Sequence, residues 1–287
     1  MPYPTRPLAL CAALFCGLAA ASSARAQMQG PNQPDRTVTK AERTQVVEGL
    51  SRVLKEKYVF PAVADKMAAR LVERLGTAYD TVTSAKALSR MLTDDLRDIA
   101  HDKHLNIFYS AETIPSGPPP GSPSGPDRFA AMNYAFEKVE RLPGNVGYLK
   151  FNGFFDPAGA AGDVAAAAMA FVAGTDALII DVRDNGGGSP GMVAFLCTYL
   201  FDGRPVHLND LYWRASDATQ QFWTLSYVPG RRYVNKDVYV LTSGRTFSAA
   251  EEFTNNLKTL KRATIVGETT GGGANPGGVE RLSDHFS

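Results

Sequence analysis

The clearest rhythm in the chain is helical. Between residues 39 and 100 apolar side chains recur every three or four positions, in three separate runs. Val46, Val47, Leu50, Val53 and Leu54 share one face. Met67, Leu71, Val72 and Leu75 share a second, and Leu88, Met91, Leu92, Leu96 and Ile99 a third. Pro61 and Gly76-Thr77 punctuate the runs, and Thr39 with Glu42 has the spacing of a capping box. The pattern predicts three helices in a small N-terminal domain over residues 37–112. After Ile99 the rhythm changes to alternation, which predicts a strand with Leu105, Ile107 and Tyr109 on one face.

Beyond residue 128 the pattern becomes short apolar runs alternating with helical stretches, the signature of an α/β sheet. Strands are predicted at 146–151, 177–180, 238–241 and 263–266, and helices at 163–172, 192–200 and from Ser248 onward. Continuous apolar runs such as Ala177-Leu-Ile-Ile180 read as buried parallel strands. Residues 208–228, with Tyr212, Trp213, Phe222, Trp223 and Tyr227, read as loop or β, forming either a substrate wall or a covered sheet edge. The Pro/Gly/Ser stretch over residues 113–127 reads as a linker between the helical domain and this core, which occupies 128–287.

Composition changes the picture at the N-terminus. Arg6, an apolar stretch from Leu8 to Ala21 and the ending Ala24-Arg25-Ala26 form a secretory signal peptide over residues 1–26. Its apolar stretch is too short for a membrane span. The expected location is therefore periplasmic or extracellular. Cys11 and Cys16 leave with the signal, so Cys197, in an apolar helix, is expected to be a buried inert thiol. Thirty basic residues against twenty-nine acidic ones give a net charge of +1, with no basic cluster to suggest nucleic acid.

Two strand-to-helix corners carry the candidate chemistry. At one, Val238-Tyr-Val-Leu241 runs through Thr242-Ser-Gly-Arg245 to Ser248, which opens a helix. Ser248 reads two ways there: as an N-cap, with Glu251 completing a capping box, or as a nucleophile at a helix N-terminus. At the other, Asp181-Val-Arg-Asp-Asn-Gly-Gly-Gly188 follows a strand, and three glycines let backbone amides approach a ligand.

The three segments DVRDNGGG, TSGRTFSAAEE and VGETTGGG, in this order, resemble the S41 peptidases. That family includes the tail-specific processing proteases, the tricorn core protease and the repeats of interphotoreceptor retinoid-binding protein, and the last branch is the most similar. The resemblance implies a crotonase/ClpP-like α/β core behind the helical domain and an exported serine peptidase acting on peptides or proteins. It implies no cofactor and no metal. Ser248 would be the nucleophile. Asp102-Lys-His104 matches the family's Asp-x-His, which makes His104 the base. The amides of Ala249 and one of Gly186 or Gly187 would hold the oxyanion, while Asp181, Arg183 and Asn185 brace the glycine loop.

Two departures accompany the match. The lysine base of the processing proteases falls on Gly273 here, which leaves His104 as the base. The family's core also runs on past the position of Ser287 and supplies a carboxylate there, so the core is expected to be C-terminally incomplete, with Glu268 as a possible orienting carboxylate. There is no room for the PDZ domain of the tail-specific enzymes. The alternative is a catalytically weak or inactive relative that binds an apolar ligand.

Overall fold

A computed structural model describes residues 33–116, 129–273 and 275–287. The signal peptide and most of the linker predicted above lie outside these residues.

The three helical runs form helices α1 (Lys40–Lys57), α2 (Pro61–Leu75) and α3 (Ala85–Ala100). Each starts on a local signal. The Thr39 hydroxyl accepts from the Glu42 amide at 3.2 Å, Pro61 occupies the first turn of α2, and the Ser84 hydroxyl accepts from the Ala87 amide at 3.0 Å. The capping box at Thr39 is only half made, because the Glu42 carboxylate pairs with Arg36 instead. The three apolar faces meet in one cluster that includes Val46, Leu50, Met67, Leu71, Leu88 and Leu92. Within it Tyr79 donates to Asp95, which also pairs with Arg74.

Residues 105–109 do not form the predicted strand. The segment is extended but makes only an isolated bridge, Tyr109 to Phe286. Its backbone partners are the last residues of the chain: Phe108 and Ser287 exchange bonds of 2.8 and 3.0 Å. The alternation of Ile107 and Tyr109 therefore serves burial in the helical domain's core, where Phe286 joins them fully buried.

The second half is a mixed α/β layer. A five-stranded sheet has the order β1 (Phe136–Leu142), β2 (Val146–Phe151), β3 (Ala177–Asp181), β6 (Asp237–Thr242), β7 (Thr264–Gly267). The β1–β2 pair is antiparallel and the other three pairs are parallel. Helices α4 (Ala160–Val172), α5 (Pro190–Leu200) and α6 (Ala249–Thr259) connect and cover it. Leu149, Phe151, Leu178, Ile180 and Val240 pack from the sheet against Met169, Val193, Phe253 and Leu257 from the helices. Cys197 is fully buried in this core, which pushes its thiol up as expected of an inert side chain.

The aromatic stretch after residue 207 becomes a separate hairpin, β4 (His207–Trp213) and β5 (Ala218–Trp223). At its tip the Arg214 guanidinium donates to the carbonyls of Tyr58 and Lys55 at the end of α1, at 2.7 and 2.9 Å. The hairpin thus spans from the α/β core to the helical domain, and Asn209, Leu211 and Trp213 line a large cleft of about 1490 Å³.

Candidate active site

Both strand-to-helix corners open on that cleft, and they are stitched to each other. In the β6–α6 turn, Ser243 donates its hydroxyl to the Arg183 carbonyl at 2.6 Å and Thr246 donates to the Val182 carbonyl at 2.8 Å. The Phe247 amide donates to the Asn185 carbonyl at 3.0 Å. Asn185 is fully buried, and its side chain donates to the Phe151 carbonyl while accepting from the Gly187 amide. One asparagine therefore ties β2, the glycine loop and the serine corner together. Asp181, also fully buried, braces the loop by accepting from the Arg183 guanidinium at 3.0 and 2.6 Å and from Tyr148.

Ser248 stands at the apex of its corner with φ 56° and ψ −123°. That backbone region is costly for a residue with a Cβ, roughly 1–3 kcal/mol, and persists only where the surroundings enforce it. The enforcement is visible. The Ser248 amide donates to Glu251 Oε2 at 2.9 Å, which is one half of the predicted capping box. The other half is in place as well: the Glu251 amide reaches back to Ser248, donating to its carbonyl at 2.8 Å with the hydroxyl beside it, so the predicted capping box is present.

Gly187 presses against this apex. It has φ 99°, and a Cβ there would lie 2.6 Å from the Ser248 Cβ and 2.8 Å from the Ala249 nitrogen. Only glycine permits the two corners to approach so closely. The amides of the glycine loop are not all available, however. Gly187 donates to Asn185 Oδ1 at 2.9 Å and Gly186 to the Asn152 carbonyl at 3.3 Å. Among the described residues, no acceptor takes the amides of Ala249 and Gly188.

Glu251, which the sequence reading treated only as a cap partner, is the hub of the third motif. Beyond Ser248 it accepts from Gly272 at 2.7 Å and from Gly273 at 2.6 Å. Burial would raise its carboxyl; a bond from the Thr270 side chain, with those from the three amides, more than offsets that and holds it below the usual range. The glycine positions are again steric requirements. A Cβ on Gly273 would sit 2.2 Å from two ring carbons of Phe247. A lysine could not stand there with Phe247 in place.

The Phe247 ring also lies against His104, with centroids 4.5 Å apart. His104 therefore reaches the residue preceding Ser248, and both line the same cleft. Lys103 reinforces this contact between the halves by donating to the Gly271 carbonyl at 2.8 Å. The His104 ring is largely enclosed, and its Nε2 has no hydrogen-bond partner. Its Nδ1 faces Asp102 Oδ1 at 3.3 Å. Asp102 also accepts the His104 amide at 2.9 Å, an Asx-turn, and the Tyr58 hydroxyl at 3.3 Å. Burial would raise the Asp102 carboxyl; the bonds from His104 prevail and lower it. The same burial, with Asp102 beside it, pushes the Tyr58 phenol up to about 12.

Glu268 sits elsewhere in the arrangement. Its Oε2 accepts from the Gly244 amide at 3.0 Å and its carbonyl from the Thr242 hydroxyl at 2.9 Å, so it holds the turn before Ser248. The carboxylate against the imidazole is Asp102. The signal for it lay in the Asp102-Lys-His104 triplet, since an aspartate two residues before another favours a turn that brings its side chain back. His101 is the left-handed C-cap of α3, with φ 52° and an exposed side chain, which accounts for its presence beside the site. Among the described residues no helix is long and apolar enough to cross a membrane.

Comparisons with known proteins agree with this architecture. Residues 145–286 match the model of Peptidase family S41. Residues 37–140 match the model described as the N-terminal domain of Peptidase_S41 in eukaryotic IRBP. The chain is 34% identical over 103 residues to the tail-specific protease of Haemophilus influenzae, covering 34% of this chain and 13% of that protein. It thus spans a small part of that relative's length. A crystal structure from Parabacteroides merdae, of a protein described as a peptidase, aligns with a TM-score of 0.53 at 22% identity over 81% of this chain and 77% of the other. The tricorn protease aligns with a TM-score of 0.51 at 13% identity over 85% of this chain and 32% of its own. At these identities both likenesses concern the fold.

Proposed function

The chain belongs to peptidase family S41, and from that membership we propose that it is an exported serine-type peptidase acting through Ser248 and His104. The observation that carries the proposal is the strained Ser248 apex at the start of α6, in one cleft with a histidine backed by a carboxylate. Asp102 against Nδ1 favours the tautomer that keeps the proton there, so Nε2 is the nitrogen that can accept the Ser248 proton.

In the first step Nε2 takes the hydroxyl proton as Ser248 Oγ attacks the peptide carbonyl. The negative charge that develops on the carbonyl oxygen falls at the N-terminus of α6, where the Ala249 amide is free. The second donor is a glycine-loop amide. Gly187 lies nearest the serine and would have to leave Asn185 Oδ1 to serve, whereas the Gly188 amide is already unbound. The imidazolium then protonates the leaving amine, and a water activated by His104 hydrolyses the acyl-enzyme. Export rests on the signal peptide read in residues 1–26, and substrates are peptides or proteins that can enter the cleft.

The test is labelling of the purified chain with a fluorophosphonate probe, together with hydrolysis of an unstructured peptide pool. Stoichiometric labelling at Ser248 and peptide turnover are expected. A chain that binds apolar ligands but neither labels nor cleaves would overturn the peptidase reading.

A further inference from the structure

The helix that begins at Ser248 carries two adjacent glutamates with opposite fates. Glu251 spends its carboxylate on three backbone amides. Glu252 spends nothing comparable. It lies one turn beyond Ser248, and Ser248, Glu252 and Asn256 share one face of α6. All three line the cleft, opposite Asn209 of β4, whose side-chain oxygen accepts from Asn256 at 3.1 Å.

Oε1 of Glu252 is shielded from solvent and has no hydrogen-bond partner. Burial pushes its carboxyl up to about 7, opposed only by the Asn209 side chain, and no basic group acts on it. The same cleft is lined by Asp210 and by Lys103, His104 and Lys258, none of which pairs with Glu252 among the described residues, and Cys197 approaches from α5. Asn209 is the one side chain that answers this carboxyl, and the unpartnered Oε1 facing the cleft points to a donor supplied from outside.

We propose that Glu252 forms a subsite of the cleft that selects substrates carrying a lysine or arginine side chain close to the bond attacked by Ser248. A guanidinium or ammonium entering between α6 and β4 would supply the missing donor to Oε1 and the charge that lets the carboxylate ionise. A neutral side chain of equal length would leave Oε1 orphaned. The inference rests on the cleft being the substrate site, and binding separates it from catalysis.

The experiment uses the full chain with Ser248→Ala and fluorescent peptides identical except for lysine, arginine, norleucine or glutamate at one position, walked along the peptide. At one position the basic peptides should bind roughly 30-fold or more tightly than the norleucine peptide. Glu252→Gln in the same background should abolish that preference, and Glu252→Lys should shift it to the glutamate peptide, with melting curves confirming that both variants fold. Equal affinity for basic and norleucine peptides at every position would overturn the subsite, as would a basic preference that survives Glu252→Gln. Turnover by the Ser248 chain without any basic preference sinks the subsite alone; a basic preference without turnover sinks the peptidase reading alone.

Discussion

Oδ1 of Asp102 lies 3.3 Å from Nδ1 of His104, and in the proposed mechanism that contact leaves Nε2 as the nitrogen for chemistry. The same carboxylate holds the His104 amide at 2.9 Å, so ring and backbone are positioned by one group. Asp102→Asn would keep the shape but reverse the donor and acceptor preference at Nδ1, favouring the tautomer with its proton on Nε2. We expect kcat to fall by roughly 10³–10⁴ with little change in KM, as for the orienting aspartate of the serine protease template. Steady-state kinetics on a cleaved peptide check this. A variant within a few-fold of the parent would remove Asp102 from the mechanism.

Ser243 and Ser248 differ in what their hydroxyls already do. Ser243 donates to the Arg183 carbonyl and accepts from the Arg245 amide, and it is buried. Ser248→Ala is therefore expected to abolish fluorophosphonate labelling with no more than the loss of a helix cap, about 1 kcal/mol. Ser243→Ala should retain labelling and lower the melting temperature, since it breaks a buried link between the two corners worth about 1 kcal/mol. Intact-mass spectrometry and thermal melting read both. Loss of labelling in Ser243→Ala with the fold intact would reassign the nucleophile.

The two corners were legible because each is a local pattern: a continuous apolar run, small residues, then helical spacing. The three N-terminal helices were legible for the same reason. Strand β1 was not, since of Phe136–Leu142 only Phe136 is buried and an edge strand shows little alternation. Residues 105–109 misled in the opposite direction: their alternation is real, but residues 284–287 meet them only through an isolated bridge and a few backbone bonds. At the site, the sequence shows that glycines follow Asn185 but not where their amides point, so the prior engagement of Gly186 and Gly187 emerges only from the fold. Glu251 looked like a capping residue because its other partners, Thr270, Gly272 and Gly273, are about twenty positions away. Long-range partners of this kind leave no trace in a local window.

Gly186 and Gly187 make a paired control. A Cβ on Gly186 meets nothing within 4 Å, whereas one on Gly187 meets both side chain and backbone of the Ser248 apex at under 3 Å, at a positive φ. Gly186→Ala should label and melt like the parent. Gly187→Ala should lose roughly 1–3 kcal/mol and displace Ser248, abolishing labelling. Labelling rate and chemical denaturation of the two variants decide it. Equal behaviour would mean that the corners are not in contact in solution.

Glu252 makes stability depend on pH in a direction opposite to most carboxylates. Its folded-state value, about 7, exceeds the ordinary 4.5 because burial disfavours the charged form. Below about 4.5 the carboxyl is protonated in both folded and unfolded chains, so it contributes no difference. Between 4.5 and 7 the unfolded chain has released the proton and the folded chain still holds it. Stability then falls as pH rises and levels off above 7, for a total of at most about 3 kcal/mol. Glu252→Gln removes the titration while keeping the shape. The variant should therefore be more stable than the parent at pH 8, by a few degrees in melting temperature, with the gain shrinking to nothing near pH 4.5. Thermal melts of both proteins between pH 4.5 and 8 test the difference. A gain that is constant with pH would show that Glu252 ionises normally and that its carboxylate finds a partner within the fold.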